Sequence, residues 1–416
     1  MKKILLAAIT LFYVNENYAQ GTWTRKADFG GVARHEAVAF SIGNKGYVGT
    51  GEDQNFNDLN DFWEYNPATD SWTQKANFAG GPRHGAVGFG IGNKGYIGTG
   101  LDAHINRRSD FWEYDPVTNK WSRKANFGGT ARYEAQGFAI GTKGYIGTGT
   151  DWNDPVGDTR DFWEYNPATN KWTRKADFGG FARHFATAFS IGNKGYLGIG
   201  VWVNYDRDEY DLKNDFWEYN PSANIWTRKA DFLGGDWWGA TGFSINGKGY
   251  IGTGIDANDA DRRGLWAYDP IRNKWTPKAK FGGDARAFAA GFSVGRNGYI
   301  VTGGLNNDLW QYSSNAMLAD AQKVSSDASA GMTTSLSCYP NPSRGSILVQ
   351  YRTDISQVAQ FAVRDIQGRI VFSKTELAEK GINTYHLNLN NLSSGTYFLQ
   401  LANGQKERVT KIVINK

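Results

Sequence analysis

One unit of sequence is written six times in this chain, and its tyrosine marks the register. Tyr47, Tyr96, Tyr145, Tyr196, Tyr250 and Tyr299 follow one another at intervals of 49, 49, 51, 54 and 49 residues. A period near 50 points to a propeller or solenoid, whose units bury their faces only against one another. The most legible copy runs DFWEYNPATNKWTRKADFGGFARHFATAFSIGNKGYLGIG from Asp161 to Gly200. It holds four short apolar and aromatic runs separated by Asn-Pro, Gly-Gly and Gly, with no helical period. That pattern predicts four antiparallel strands. We label them a (ARHxxAxxFSI), b (KGYxGTG), c (DFWEYNP) and d (xWTRKADF).

The repeats open on a lone d strand at Trp23 and close on a lone c strand at Trp310. Each strand type occurs six times only if the first d strand completes the last sheet. The expectation is therefore an all-β, six-bladed propeller closed by its own N-terminal strand, which leaves no unpaired edge at the seam. The d tryptophan precedes the b tyrosine by 24 residues in every copy, and the c and d tryptophans lie 9 apart in all five continuous copies. Only the distance from the b tyrosine to the c tryptophan changes: 16, 16, 18, 21, 16 and 11. Strands alternate direction, so the b–c and d–a loops share one rim, and length variation is confined to it. Loops displayed by a rigid scaffold carry function, so this rim is the expected ligand face. The repeated tyrosines and tryptophans read as packing between blades.

The Gly-rich b strand, its tyrosine and the tryptophan pair resemble the kelch repeat, whose units form β-propeller blades, over residues 21 to 312. The resemblance implies a fold more than a function, since kelch propellers include enzymes, adaptors and ligand-binding modules. The six-bladed architecture is also similar to that of bacterial sialic-acid mutarotases, which implies an alternative: a sugar-active enzyme of mutarotase or epimerase type acting on an acidic sugar. A copper radical oxidase is disfavoured, because its cross-linked cofactor needs a cysteine in the propeller and the single Cys338 lies outside it. No cofactor is expected.

The ends of the chain speak to location. MKK, an apolar run from Ile4 to Val14 and then NENYAQ form the three regions of a secretory signal peptide over residues 1–20. That run is too short to span a membrane, and no later segment is apolar enough. Residues 313–335, rich in Ser and Ala, read as a linker. Beyond it, alternating runs punctuated by Gly, Pro and Asn predict a small Ig-like β-sandwich over 336–416. Tyr339-Pro340-Asn341-Pro342, Asp365 to Arg369, Leu392 with Gly395-Thr396-Tyr397, and Lys411 to Ile414 resemble the type A C-terminal sorting domain of the type IX (Por) secretion system. The resemblance implies handling by that machinery and export to the outer surface or the medium of a Gram-negative bacterium. With 46 basic and 41 acidic residues and no basic cluster, nucleic acid is not an expected partner.

Candidate ligand-binding residues follow from the rim. Arg34, Arg83, Arg132, Arg183 and Arg286 occupy one equivalent position at the start of the a strands, with Trp237 in the fifth repeat. A ring of guanidinium groups would attract a carboxylate, so an anionic, sugar-like or protein partner is expected there. A structural role in the d–a turn is the competing reading. The next position holds His35, His84, Tyr133, His184, Trp238 and Ala287. No ligand spacing supports a metal site among these histidines. The b–c loops add Asp102, His104, Arg107 and Arg108, then Trp152 and Asp154, then Trp202, Tyr205, Asp206, Asp208 and Asp211, and finally Asp256, Asn258, Asp259 and Asp261. Aromatics among Asp and Asn resemble what a glycan needs: a face to stack on and planar hydrogen-bonding groups around it.

Overall fold

The computed structural model describes residues 21–152, 157–204, 207, 209–314, 336–353, 356–365, 369–403 and 406–416. The expected signal segment, nearly all of the linker, and Asp154, Tyr205, Asp206 and Asp208 lie outside them. The chain divides into two compact units, Met1–Asn315 and Ala316–Lys416. Among the described residues no helix is long and apolar enough to cross a membrane.

The first unit holds six four-stranded antiparallel sheets among the described residues. In the first, a is Val38–Ile42, b is Lys45–Gly49, c is Phe62–Asn66 and d is Ser71–Gln74. The last assembles Ala290–Val294, Asn297–Val301 and Leu309–Ser313 with the N-terminal strand Thr22–Lys26, paired Thr22 to Ser313 through Lys26 to Leu309. Ser313, expected to begin the linker, is thus the last residue of that c strand. The a strands touch their neighbours in a closed cycle and line a central channel. The arrangement is that of a propeller.

Two repeated contacts explain why this sequence closes the cycle. The glycine before each b tyrosine leaves room for a phenylalanine of the neighbouring sheet: a Cβ on Gly95 would lie 2.4 Å from Phe40, and one on Gly46 would lie 2.2 Å from Phe292 across the seam. Each d tryptophan donates its indole N–H to an alanine carbonyl of the adjoining sheet, as Trp72 does to Ala27 at 3.1 Å. Trp23 repeats that bond across the seam, to Ala279 at 3.1 Å. The same two contacts therefore operate at the seam and inside the repeats. With a ring of Phe, Tyr and Trp buried between each pair of sheets, each worth about 1.5–3 kcal/mol of apolar burial, the aromatic repeat is the core.

The a strands start later than the repeat suggests. Arg34–His35 is a separate short strand that pairs with Glu52–Asp53 of the b–c loop, and Trp237–Trp238 pairs likewise with Ile255–Asp256. Single bridges replace these pairings at His84, Tyr133 and His184. The channel-facing strand begins four residues after the arginine position in all six sheets, and that offset decides what reaches the mouth.

Among its described residues the second unit forms two antiparallel sheets, one of three strands and one of four, sharing a core that includes Val349, Phe361, Leu387, Leu401 and Ile412. Its terminal motifs meet. Asn341 donates its side-chain N–H to the Lys411 carbonyl and accepts from the Val413 N–H, both at 2.8 Å. The Asn-Pro turn thus pins the last strand, 70 residues away.

Candidate functional site at the channel mouth

The five arginines do not face the mouth. Each is 0–1% exposed and forms a two-pronged pair with the first residue of its own c-strand motif: Arg34 with Asp61 at 2.5 and 2.8 Å, Arg83 with Asp110, Arg132 with Asp161, Arg183 with Asp215 and Arg286 with Asp308. Nε donates to a d–a loop carbonyl, Val32 for Arg34 at 3.0 Å, and Nη1 to the carbonyl at the end of the b strand, Thr50 at 3.0 Å. The guanidinium stacks on the d-strand phenylalanine, 4.9 Å from Phe29 to Arg34. Burial works against ionisation of each aspartate. The arginine's hydrogen bonds and charge, with the c-tryptophan N–H, outweigh it and hold all five carboxyls below their ordinary range. A donor set this fully used has nothing left for a ligand, so the arginines brace the d–a, b–c and c segments of each sheet. The basis for an anionic partner goes with them.

The fifth sheet confirms the pairing by its exception. Trp237, buried and packed 5.2 Å from Phe232, takes the arginine position, and Gly264 takes the aspartate position. A Cβ on Gly264 would lie 2.4 Å from the Trp237 ring. Trp237 is therefore also a brace. The sequence carried this signal: where Arg becomes Trp, the Asp of DFW becomes Gly.

Two residues after each arginine position the backbone turns left-handed in all six segments: Glu36, Gly85, Glu134, Phe185, Gly239 and Phe288 have φ between 49° and 59°. Backbone bonds join them around the channel. Glu36 N–H donates to Phe288 at 3.1 Å, Gly85 to Glu36 at 3.3 Å, Glu134 to Gly85 at 2.8 Å, Gly239 to Phe185 at 3.3 Å and Phe288 to Gly239 at 2.8 Å. This is the mouth, and a cavity of about 180 Å³ lies behind it, walled by the small residues of the a strands. Its two halves differ. Phe185, Trp238 and Phe288 cluster with ring centroids 4.9 to 5.5 Å apart. Opposite them, Glu36 and Glu134 flank Gly85.

The histidines stand behind the glutamates. His84 Nδ1 lies 2.6 Å from Asp58 Oδ1, and His184 Nδ1 lies 2.7 Å from Asp158 Oδ1, each pair bridging two sheets. His35 Nε2 is 3.2 Å from Glu52. Burial lowers the His35 pKa against the opposing charge of Glu52, whereas at His84 the Asp58 bond and the charges of Glu36, Asp58 and Glu52 overcome burial and raise it. Burial, with Glu52 and Asp58 nearby, pushes Glu36 up to about 7 despite His84, and burial with the charge of Glu36 raises Glu134 well above the carboxylate range. Glu52, Asp58 and His84 each bring a donor atom within 4.8 Å of the others, an arrangement a cation could use, although a hydrogen bond already joins two of them.

The loop residues divide. Asp102 and Asp256 build their loops: each Oδ1 accepts two backbone N–H groups, from His104 and Asn106 at 3.0 and 2.9 Å and from Asn258 and Ala260 at 3.0 and 3.1 Å. Asp53 does the same for Asn55 and Asn57. Asp102 and Asp256 also pair with Arg108 and Arg262. The loops then hold Phe56 and Ile105 left-handed at φ 60° and outward, 80% and 65% exposed. Trp152 is partly exposed on the rim, under the Arg107 guanidinium at 4.5 Å and edge-on to Tyr133 at 5.6 Å. Trp202 lies on a hairpin, Val201–Asn204 with Glu209–Leu212, opposite Asp211. Of the expected residues, the mouth gathers Trp238 and backs its acidic half with His35, His84 and His184. The glutamates and phenylalanines beside them were not singled out in the sequence.

Residues 337–415 match the family described as the secretion system C-terminal sorting domain. The tail is that domain, and it directs the protein through type IX secretion to the medium or the outer surface of a Gram-negative bacterium. Among solved structures, the one titled "Structure of YjhT" superposes with a TM-score of 0.56 at 14% identity, over 68% of this chain and 95% of that one, which shows a shared fold. No curated protein matched the sequence.

Proposed function

We propose that the chain is an exported ligand-binding module: a six-bladed kelch-type propeller over 21–312, delivered by an N-terminal signal peptide and an Ig-like sorting domain over 336–416. Its ligand face is the rim of b–c and d–a loops around the channel mouth, and its partner is a glycan or a protein. The observation that carries this reading is the mouth itself. Six equivalent positions share one backbone conformation yet present Glu, Gly, Glu, Phe, Gly and Phe, a rigid frame with differentiated side chains. Exposed Phe56, Ile105, Trp152, Tyr210 and Leu305 extend that surface along the loops. A glycan array and a pull-down of surface proteins, run with the full exported chain, test it. Phe185→Ala and Trp238→Ala are expected to abolish retention of whatever binds while the protein stays folded, and indifference of all binding to these variants would move the ligand face elsewhere.

The enzyme alternative draws on one observation. Two carboxyls whose hold on a proton is strengthened by burial, Glu36 up to about 7 and Glu134 well above the carboxylate range, near histidines that are each held by an aspartate, suit general acid–base chemistry on a sugar. Anomer exchange followed by NMR on any sugar that binds, with Glu36→Gln as control, separates a catalyst from a receptor.

A further inference from the structure

We infer that the channel mouth accepts a protonated primary amine carried on a sugar ring, that is, an amino sugar without its N-acetyl group. This rests on the binding-module reading and adds the chemistry of the ligand.

The two halves of the mouth ask for the two halves of such a ligand. On the acidic side, Glu36 Oε2 is sealed from solvent and accepts no hydrogen bond. Glu134 is 9% exposed, and His184 Nε2 stands 3.8 Å from its Oε2, beyond hydrogen-bond reach. Gly85 spares this side any further crowding: a Cβ there would lie 3.3 Å from Glu36 Oε2 and 3.2 Å from the backbone nitrogen of Glu134. No arginine of the brace layer can supply the missing cation, because each is committed to its aspartate. The other charges facing this half, His84, His184, Asp58 and Asp158, are joined as His–Asp pairs, and His35 is held by Glu52. An ammonium brings three donors and one positive charge in a small volume, which suits a half of the mouth that holds two carboxyls and an unpartnered carboxylate oxygen. On the other side, Phe185 and Phe288 line the cavity and Trp238 packs against both. Aromatic faces take the apolar face of a sugar ring and favour an adjacent cation. An N-acetyl group would remove the charge and two of the three donors, and add bulk beside the carboxyls.

Calorimetry on the full exported chain with two probes decides the matter: the glucosamine tetramer and the N-acetylglucosamine tetramer. The glucosamine tetramer is expected to bind at least about tenfold tighter, the scale of one charge-assisted contact. Glu36→Gln and Glu134→Gln should each cost about that factor for glucosamine and leave the acetylated probe unchanged, with melting temperatures showing that both variants fold. Equal affinity for the two tetramers overturns the inference, as does a double glutamine variant that still binds glucosamine as the parent does. If neither tetramer binds while another glycan or a protein is retained through Phe185 and Trp238, this inference fails and the binding-module reading stands. If nothing is retained at all, both fail.

Discussion

In the segment that leads into each channel strand, the arginine position and the position two residues later differ in what the six sheets hold constant. At the first, the side chain is the same in five sheets and is buried, stacked and paired. The sixth case replaces both partners together, Trp237 with Gly264. At the second, the backbone is the same in six sheets and the side chains are not. A repeat keeps a side chain where that side chain holds the fold. It keeps a conformation and frees the side chain where the fold holds the side chain out for something else. The distinction makes opposite predictions for mutation: loss of stability in the brace layer, gain in the display layer.

The largest effect belongs to the brace. Arg83→Ala leaves Asp110 buried with its main partner gone, and breaking such a pair from one side destabilises by about 3–5 kcal/mol. Copying the fifth sheet instead, with Arg83→Trp and Asp110→Gly together, removes both charges and refills the space. It should recover more than half of that loss, read as the midpoint of urea unfolding. A double variant no better than Arg83→Ala would mean that the Trp237–Gly264 solution depends on its own sheet, and that the two layers are coupled.

How far the sequence disclosed this contrast follows from what a period can encode. Strand count, the seam at Trp23 and the variable rim were all legible, because each rests on spacing, and the glycine of KGY must admit a neighbour's phenylalanine wherever the repeat recurs. The arginine position was legible but its role was not, since an arginine at a loop start reads the same whether it meets a ligand or Asp61. The partner lies 27 residues away in a different strand motif. The paired exchange of Arg183 and Asp215 for Trp237 and Gly264 would have resolved it. The mouth lies one residue beyond the positions whose chemistry stands out: RHE, RHG, RYE, RHF, WWG and RAF contain it at the third letter of each. Nothing in the string says that the third is left-handed, because Glu and Phe are poor markers of that conformation.

A middle-sized effect tests the display layer by pH. Because the Glu36 carboxyl titrates near 7 in the folded chain and in the ordinary carboxylate range when unfolded, the unfolded state loses its proton first as pH rises. The fold therefore loses stability between about pH 4.5 and pH 7, and above that the deficit is constant. Glu36→Gln has no such deficit. The variant should match the parent near pH 4 and exceed it by on the order of 1 to 3 kcal/mol at pH 8, with the gap opening across that window. His84, Glu52, Asp58 and Glu134 face the same carboxyl and are present in both proteins, so the difference between the two curves is what isolates Glu36. A gap that is flat with pH, or of the reverse sign, would place Glu36 among the braces.

The smallest effect is the sharpest in sign. Ile105 holds φ 60° at the tip of a b–c loop while 65% exposed, so it has a β-branched side chain in a conformation that disfavours one and little burial to offset it. The left-handed conformation costs an ordinary residue about 1–2 kcal/mol, and asparagine tolerates it best after glycine. Asp102 supplies the two backbone acceptor bonds that fix the loop, and they do not involve the Ile105 side chain. Ile105→Asn should therefore stabilise the protein by roughly 0.5 to 1 kcal/mol while weakening any ligand that reaches the blade-two loop. Phe56→Asn, at the equivalent tip fixed by Asp53, should do the same in the first sheet. Stabilisation in both would mark the apolar tips as residues kept against the interest of the fold. Destabilisation would mean that these side chains make folding contacts of their own, and the line between brace and display would then have to be drawn inside the loops.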